Sequence, residues 1–222
     1  VGADFAAKDR IANRNKVTFI VPLPKRYIET IRSVPGVVDS CYSNWFGAKD
    51  PNHEREFFAS MAVQTQSFFS VFDEIVVSPA DKERWLSDRK GALVGDVLAR
   101  KLGWKVGDTV TLTGSIYPGD WQFQIAGIYG AKRKVVDRST FFFHWDYLNE
   151  SLPEGARQRD QIGWVISRIK EPGRAAEISQ AIDRIFDDQE IQTLSMSERA
   201  MNTPFSLSGV GMSLFTGATS AN

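Results

Sequence analysis

The sequence predicts an α+β fold in which a split βαβ lobe, built from both chain ends, carries a mainly-β inserted lobe. Three observations predict it. A strand–helix–Pro-Gly–strand succession occupies 17–50, and a strand–helix–strand succession occupies 160–201. Between them, 56–152 alternates apolar and polar residues with only short helical interruptions. Residues 1–16 and 202–222 fall outside both lobes.

Taken in order, 1–16 carry an amphipathic patch (Phe5, Ala6, Ile11, Ala12) without a sustained period. Val17-Thr18-Phe19-Ile20-Val21 is β-branched and short, so it is expected as the first strand, punctuated by Pro22 and Pro24. Lys25 to Ser33 reads as a helix with Tyr27, Ile28 and Ile31 on its apolar face, and Pro35-Gly36 ends it. Val37-Val38 opens an extended run through Trp45-Phe46. Ala48 to Arg55 is a polar loop, Phe57 to Val63 a strand, and Thr65 to Phe72 a short aromatic helix or turn. Ser78 to Lys90 is charged, with Trp85 and Leu86 as its only large anchors.

Gly91 to Leu112 is the best-defined stretch. Val94, Val97, Leu98 and Leu102 recur at helical spacing, so a helix is expected over Val94 to Leu102. Gly103 ends it at positive φ, Gly107-Asp108 turns the chain, and Thr109 to Thr113 alternates as a strand with one wet face. After a loop at Ser115 to Gly119, Trp121 to Tyr129 alternates strictly and should pair with the Thr109 strand as a hairpin. Thr140 to His144 is an aromatic strand, and Trp145 to Leu152 a helical turn closed by Pro153. Ile162 to Ile169 resumes strand alternation. Pro172-Gly173 starts a helix with Ala176, Ile178, Ile182, Ile185 and Phe186 at helical spacing, and Glu190 to Met196 is the last strand. The opening and closing units enclose the insert as two halves of a ferredoxin-like sandwich would.

Several short motifs occur in a telling order. They are Ile31-Arg-Ser-Val-Pro-Gly-Val37, then Gly95, Leu98-Ala99, Leu102-Gly103, Gly107-Asp108, Val110 and Leu112, then Gly127-Ile128. Ala176 to Phe186 with Ala181-Ile182-Asp183 follows, and Thr193 with Ser197-Glu198-Arg199-Ala200-Met201 ends the series. Together they resemble the extracytoplasmic core domain of ABC-transporter permeases of the MacB/FtsX-like type, from about Val17 to Met201. Arg199 and Met201 depart mildly from the Lys and Phe of that pattern.

The resemblance implies a two-lobed, non-catalytic periplasmic domain of a bacterial inner-membrane permease, without a cofactor. Its implied partners are a cytoplasmic ABC ATPase, a second permease copy, and an adaptor or a lipoprotein or peptide substrate. Membrane helices would flank the chain, with 1–16 and 202–222 as juxtamembrane ends; Phe205, Leu207, Val210, Met212, Leu214 and Phe215 then approach a span. The lobes would pivot through Ala48–Arg55 and Leu152–Gln161. The alternative is a soluble small β-barrel that binds a ligand or serves a cofactor enzyme, because such barrels also use the Leu-Gly-x-x-x-Gly-Asp-x-Val-x-Leu unit.

Composition narrows the remaining classes. Lys+Arg and Asp+Glu both number 27, so no basic excess points to nucleic acid, and the isolated domain is expected to be monomeric. Cys41, the single cysteine, can form no intrachain disulfide. His53 and His144 are the only histidines and lie far apart, without the spacing of a metal site. Cys41 has no adjacent base and reads as a packed strand residue. Lys132-Arg133-Lys134, with Arg138, forms a small basic cluster that reads as a solvated loop. Asp187-Asp188 and Glu190 read as turn residues. Gly95, Gly103 and Gly107 do not lie between a strand and a following helix, as a dinucleotide fingerprint requires, and no Walker A sequence occurs. No residue is assigned to catalysis, a cofactor or a metal.

Overall fold

The structure, a computed structural model, describes residues 7–133 and 136–201. The chain divides into two units: residues up to Ser43 together with those from Glu154 onward, and Asn44–Pro153 between them. The fold is mixed α+β, as the sequence predicts, although the inserted unit, expected to be mainly β, also carries four helices among its described residues.

The first unit begins with β1 (Arg10–Asn15), β2 (Leu23–Pro24), α1 (Tyr27–Arg32) and β3 (Val37–Trp45). The inserted unit adds β4 (Ala59–Val63), α2 (Thr65–Val71), β5 (Ile75–Val76), α3 (Pro79–Ser87) and β6 (Gly91–Gly95). It continues with α4 (Asp96–Leu102), β7 (Thr109–Gly114), β8 (Gly119–Ala131), β9 (Thr140–His144) and α5 (Trp145–Ser151). The chain returns to the first unit with β10 (Gln161–Ile162), β11 (Trp164–Ile169), α6 (Ala175–Phe186), β12 (Thr193–Ser197) and α7 (Glu198–Met201).

In the first unit the strand order is β12-β1-β11-β3, each neighbour antiparallel. Hence β1 and β3 run the same way with β11 between them. The helices bury Tyr27, Ile28 and Ile31 from α1, and Ile178, Ile182 and Phe186 from α6; Tyr27 stacks on Phe186 with ring centres 4.1 Å apart. Ile185, assigned by its spacing to the apolar face, is instead 43% exposed.

The first strand is not where alternation puts it. Val17 to Val21 is a loop, with Val17 86% and Ile20 68% exposed, and β1 lies at Arg10–Asn15, within a segment expected to be juxtamembrane. The reason is chemical: β1 is an inner strand with polar side chains, satisfied sideways by distant strands. Asn13 donates to Ser195 Oγ (2.7 Å) and accepts from Ser167 Oγ (3.3 Å). Ser167 in turn shares a hydrogen bond with Ser40 Oγ (2.7 Å), and Ser195 Oγ donates to Asp183 on α6 (2.7 Å). Asn13, Ser40, Ser167 and Ser195 each have a side-chain partner, which is the condition for carrying them in a core. Apolar periodicity cannot reveal such a strand.

In the inserted unit the order is β4-β9-β6-β8-β5, with β7 antiparallel to the first half of β8. Phe141, Phe142 and Phe143 on β9 alternate between the two faces of this sheet. Phe143 packs against Phe46 (4.9 Å) and Phe123 (4.8 Å), whereas Phe142 meets Phe68 (5.0 Å) on the other face. Trp85, fully buried on the otherwise charged α3, closes the Phe68 side (5.2 Å).

The helix expected from Val94 starts later. Gly91–Gly95 is β6, buried throughout and paired with β9 on one side and β8 on the other. A strand covered on both faces shows a continuous apolar run, which periodicity cannot separate from a helix. The rest of the stretch follows expectation. Gly103 caps α4 at φ 70°, Gly107 turns at φ 96°, and Asp108 accepts from the Lys105 backbone N–H (2.8 Å). Only Val110 and Leu112 of the following strand point inward before Gly114–Gly119 closes the hairpin.

Candidate functional site

The Gly107-Asp108 turn and the start of β7 line a groove of about 300 Å³ in the inserted unit, together with Asp50, Asn52, His53 and Trp104. The polypeptide 50–53 is a turn held by its own carboxylate. Asp50 accepts from the Asn52 backbone N–H (2.9 Å) and pairs with His53 Nδ1 (2.6 Å), while the His53 backbone N–H donates to the Asp50 carbonyl (3.0 Å). Asp50 is 3% exposed, so its charge is held by this turn and not by water. One wall of the groove is the indole of Trp104, which packs edge-on against Phe58 (5.7 Å) and Phe141 (5.9 Å). A second, open groove of about 510 Å³ lies in the first unit between α1 and α6, lined by Thr30, Val34, Pro35, Ala181, Arg184 and Ile185.

The other sequence candidates are dispersed. His144 is buried at the end of β9, with its Nε2 2.6 Å from the Trp85 carbonyl. A carbonyl only accepts, so Nε2 carries the hydrogen. Cys41 is fully buried in β3, opposite Ile166 on β11. Arg138 pairs with Asp96 (3.0 Å), Lys132 and Arg133 are exposed, and Lys134 and the tail 202–222 lie outside the described residues. Asp187 caps α6, and Asp188 accepts from Gln189 in the exposed turn that follows. Among the described residues no three His, Cys, Asp or Glu side chains are placed to hold a metal ion. No described helix is long and apolar enough to cross a membrane.

Burial pushes the His144 imidazole below its ordinary value, outweighing its bond to Trp85. The unfolded chain therefore takes up the proton first, near pH 6.5. The stability held by neutral His144 is full above that pH and falls as pH drops toward the folded-state value, by at most about 1.4 kcal/mol per pH unit. His144→Gln keeps an amide donor but does not titrate, so its urea midpoint should fall less steeply between about pH 6.5 and 5. Parallel profiles for the two proteins would show that His144 contributes no acid sensitivity.

Over residues 4–185 the sequence matches the family model described as the MacB-like periplasmic core domain. The chain belongs to that family. Solved structures share its fold at low identity. The periplasmic region of MacB from Actinobacillus actinomycetemcomitans is 8% identical, with a TM-score of 0.61 over 89% of this chain and 92% of that one. The extracellular domain of the noncanonic ABC-type transporter YknZ from Gram-positive bacteria is 12% identical, with a TM-score of 0.58 over 85% of this chain and all of that one. No curated protein matches by sequence.

The MacB-like match spans far more than the helix–Gly-Asp–strand unit that ligand-binding barrels share. What motif reading missed in this MacB-like domain is the carboxylate behind His53. The Asp50-x-x-His53 spacing was its only signal, set in a polar loop with no other mark of structure.

Proposed function

We propose that this MacB-like domain is the extracytoplasmic part of an ABC-transporter permease of a bacterial inner membrane. It performs no covalent chemistry. It acts by contact with a second permease copy, an adaptor, or a lipoprotein or peptide substrate, and it passes on motion driven by a cytoplasmic ATPase. The observation that carries this reading is the family match over 4–185.

The chain path supports a mechanical role. The register Ile11↔Ser197 brings the two described ends of the first unit to the same end of its sheet. The chain enters the inserted unit at Ser43–Asn44 and leaves it at Pro153–Glu154. Motion applied at the ends reaches the insert through these two crossings. A pivot at Ala48–Arg55 does not fit that path, because this loop belongs to the insert and Lys49 exchanges two backbone hydrogen bonds with Thr113 (3.0 and 2.8 Å). The crossing within β3 and the Pro153–Gln161 connection take its place as the proposed hinge.

Spin labels at Glu83 on α3 and Gln180 on α6, both exposed, report on the two units in the full-length permease with its ATPase. Their distance distribution should change between the nucleotide-free and ATP-trapped states. One distribution throughout the cycle would rule out the transmission role.

A further inference from the structure

We infer that the outer edge of β7 is a docking edge for an extended segment of a partner polypeptide, added as a further antiparallel strand and carrying a basic side chain. Hydrogen-bond direction alternates along a strand. Asp108 accepts from Ile125 on β8, and its even-numbered successors Val110, Leu112 and Gly114 face β8 in the same way. Thr109, Thr111 and Thr113 therefore direct their N–H and C=O groups to the opposite side.

On that side Thr113 is satisfied: it exchanges both of its backbone bonds with Lys49 in an isolated antiparallel bridge. The bridge is the first rung of a strand that does not continue. At Asp50 the chain turns away, and the 50–53 turn leaves a groove beside Thr109–Thr111, where the next rungs would be. No other backbone bond of β7 leaves on this side among the described residues.

Free edges invite wrong pairing, and proteins usually blunt them with lysine, proline, a bulge or shortness. The β5 edge of the same sheet is two residues long. By contrast, β7 is six residues of Thr-Val-Thr-Leu-Thr-Gly with neither charge nor proline, in unbroken register with β8. An edge left this open, beside a groove, has the form that strand-adding recognition uses.

The groove also specifies the occupant's chemistry. Its carboxylates are Asp50 and Asp108; Asp50 pairs with His53, and no Lys or Arg pairs with either among the described residues. Trp104 and Val110 supply the apolar wall. A strand entering in the Lys49 register brings side chains beside both kinds of surface, and a Lys or Arg answers Asp108, which is half-buried, whereas Asp50 is already closed off by Asn52 and His53.

The test is a titration of the isotope-labelled chain with a capped heptapeptide of alternating threonine and valine around a central lysine, followed by NMR. The Thr109 and Thr111 amides should shift and exchange more slowly with solvent, with Thr113 little changed. Binding should weaken about tenfold or more for the same peptide N-methylated at alternate residues, which cannot donate along one edge. Thr111→Pro should do the same, since proline is tolerated where a strand's N–H faces outward; if that variant misfolds, the N-methylated peptide still decides. Silence at Thr109 and Thr111, or equal binding of the N-methylated peptide, would overturn the inference. So would β7 pairing that grows with protein concentration and ignores peptide, which would assign the edge to a second copy. The inference names a partner chemistry for the contact role proposed above. A failed titration leaves the nucleotide-driven distance change to be judged separately.

Discussion

Gly95→Ala is expected to destabilise the inserted unit by about 3–5 kcal/mol. A Cβ at this position would lie 2.0 Å from the Arg138 carbonyl oxygen and 2.2 Å from its carbon, so backbone must move. That carbonyl is already committed: it accepts from the backbone N–H of Val97 (3.2 Å) and of Leu98 (3.3 Å) at the start of α4. Displacing it leaves two helix-terminal donors without their acceptor and also disturbs the Arg138–Asp96 pair, which joins the same two segments (3.0 Å). With a typical domain only about 5–15 kcal/mol stable, such a loss removes much of the margin. Gly103→Ala is the matched control. It has nothing within 4 Å and only a φ of 70° against it, so about 1 kcal/mol is expected. Urea midpoints of the two variants settle the ranking; equal losses would mean that the Arg138 strand yields freely.

Gly95 also shows where sequence reading stops. Helical spacing of Val94, Val97, Leu98 and Leu102 placed this glycine inside a helix, whereas it joins β6 to α4 and is required by a segment 43 residues further on. Nothing local encodes that approach. Elements whose logic is local were legible. The Gly103 cap, the Gly107-Asp108 turn, the β7–β8 hairpin and the amphipathic α6 each follow from spacing or from one residue's conformational freedom. Elements defined by long-range pairing were not. β1 hides because Asn13 is satisfied by Ser195 and Ser167, far along the chain, and β6 hides because both of its faces are covered. The groove was half legible. Its turn and its Thr-rich strand were read correctly, but the open edge emerges only once Lys49 is seen to bond Thr113 and then leave.

Glu198→Gln is expected to cost the first unit about 1.5–3 kcal/mol, despite changing only a charge and one donor pattern. Arg10 opens β1 with its side chain 5% exposed, and its Nε lies 2.5 Å from Glu198 on α7. Its neighbour in register on β11 is the half-buried Arg168, so the carboxylate answers a buried guanidinium in a locally cationic setting. The effect is set by the lost charge-assisted hydrogen bond to a buried guanidinium, which a neutral amide answers only in part. It follows that Arg10→Met in the Glu198→Gln background should recover part of the loss, since the buried guanidinium that lost its carboxylate is then gone. A double-mutant cycle read by urea unfolding measures this coupling. Additive losses would show that water reaches Arg10 and that the pair is a surface contact. If the coupling is large, β1 and α7 melt together, and hydrogen exchange of the Glu198–Met201 turn and of the β1 amides should accelerate together in Glu198→Gln. The two described ends of the unit are then one mechanical element, which is what the proposed transmission of motion from those ends requires.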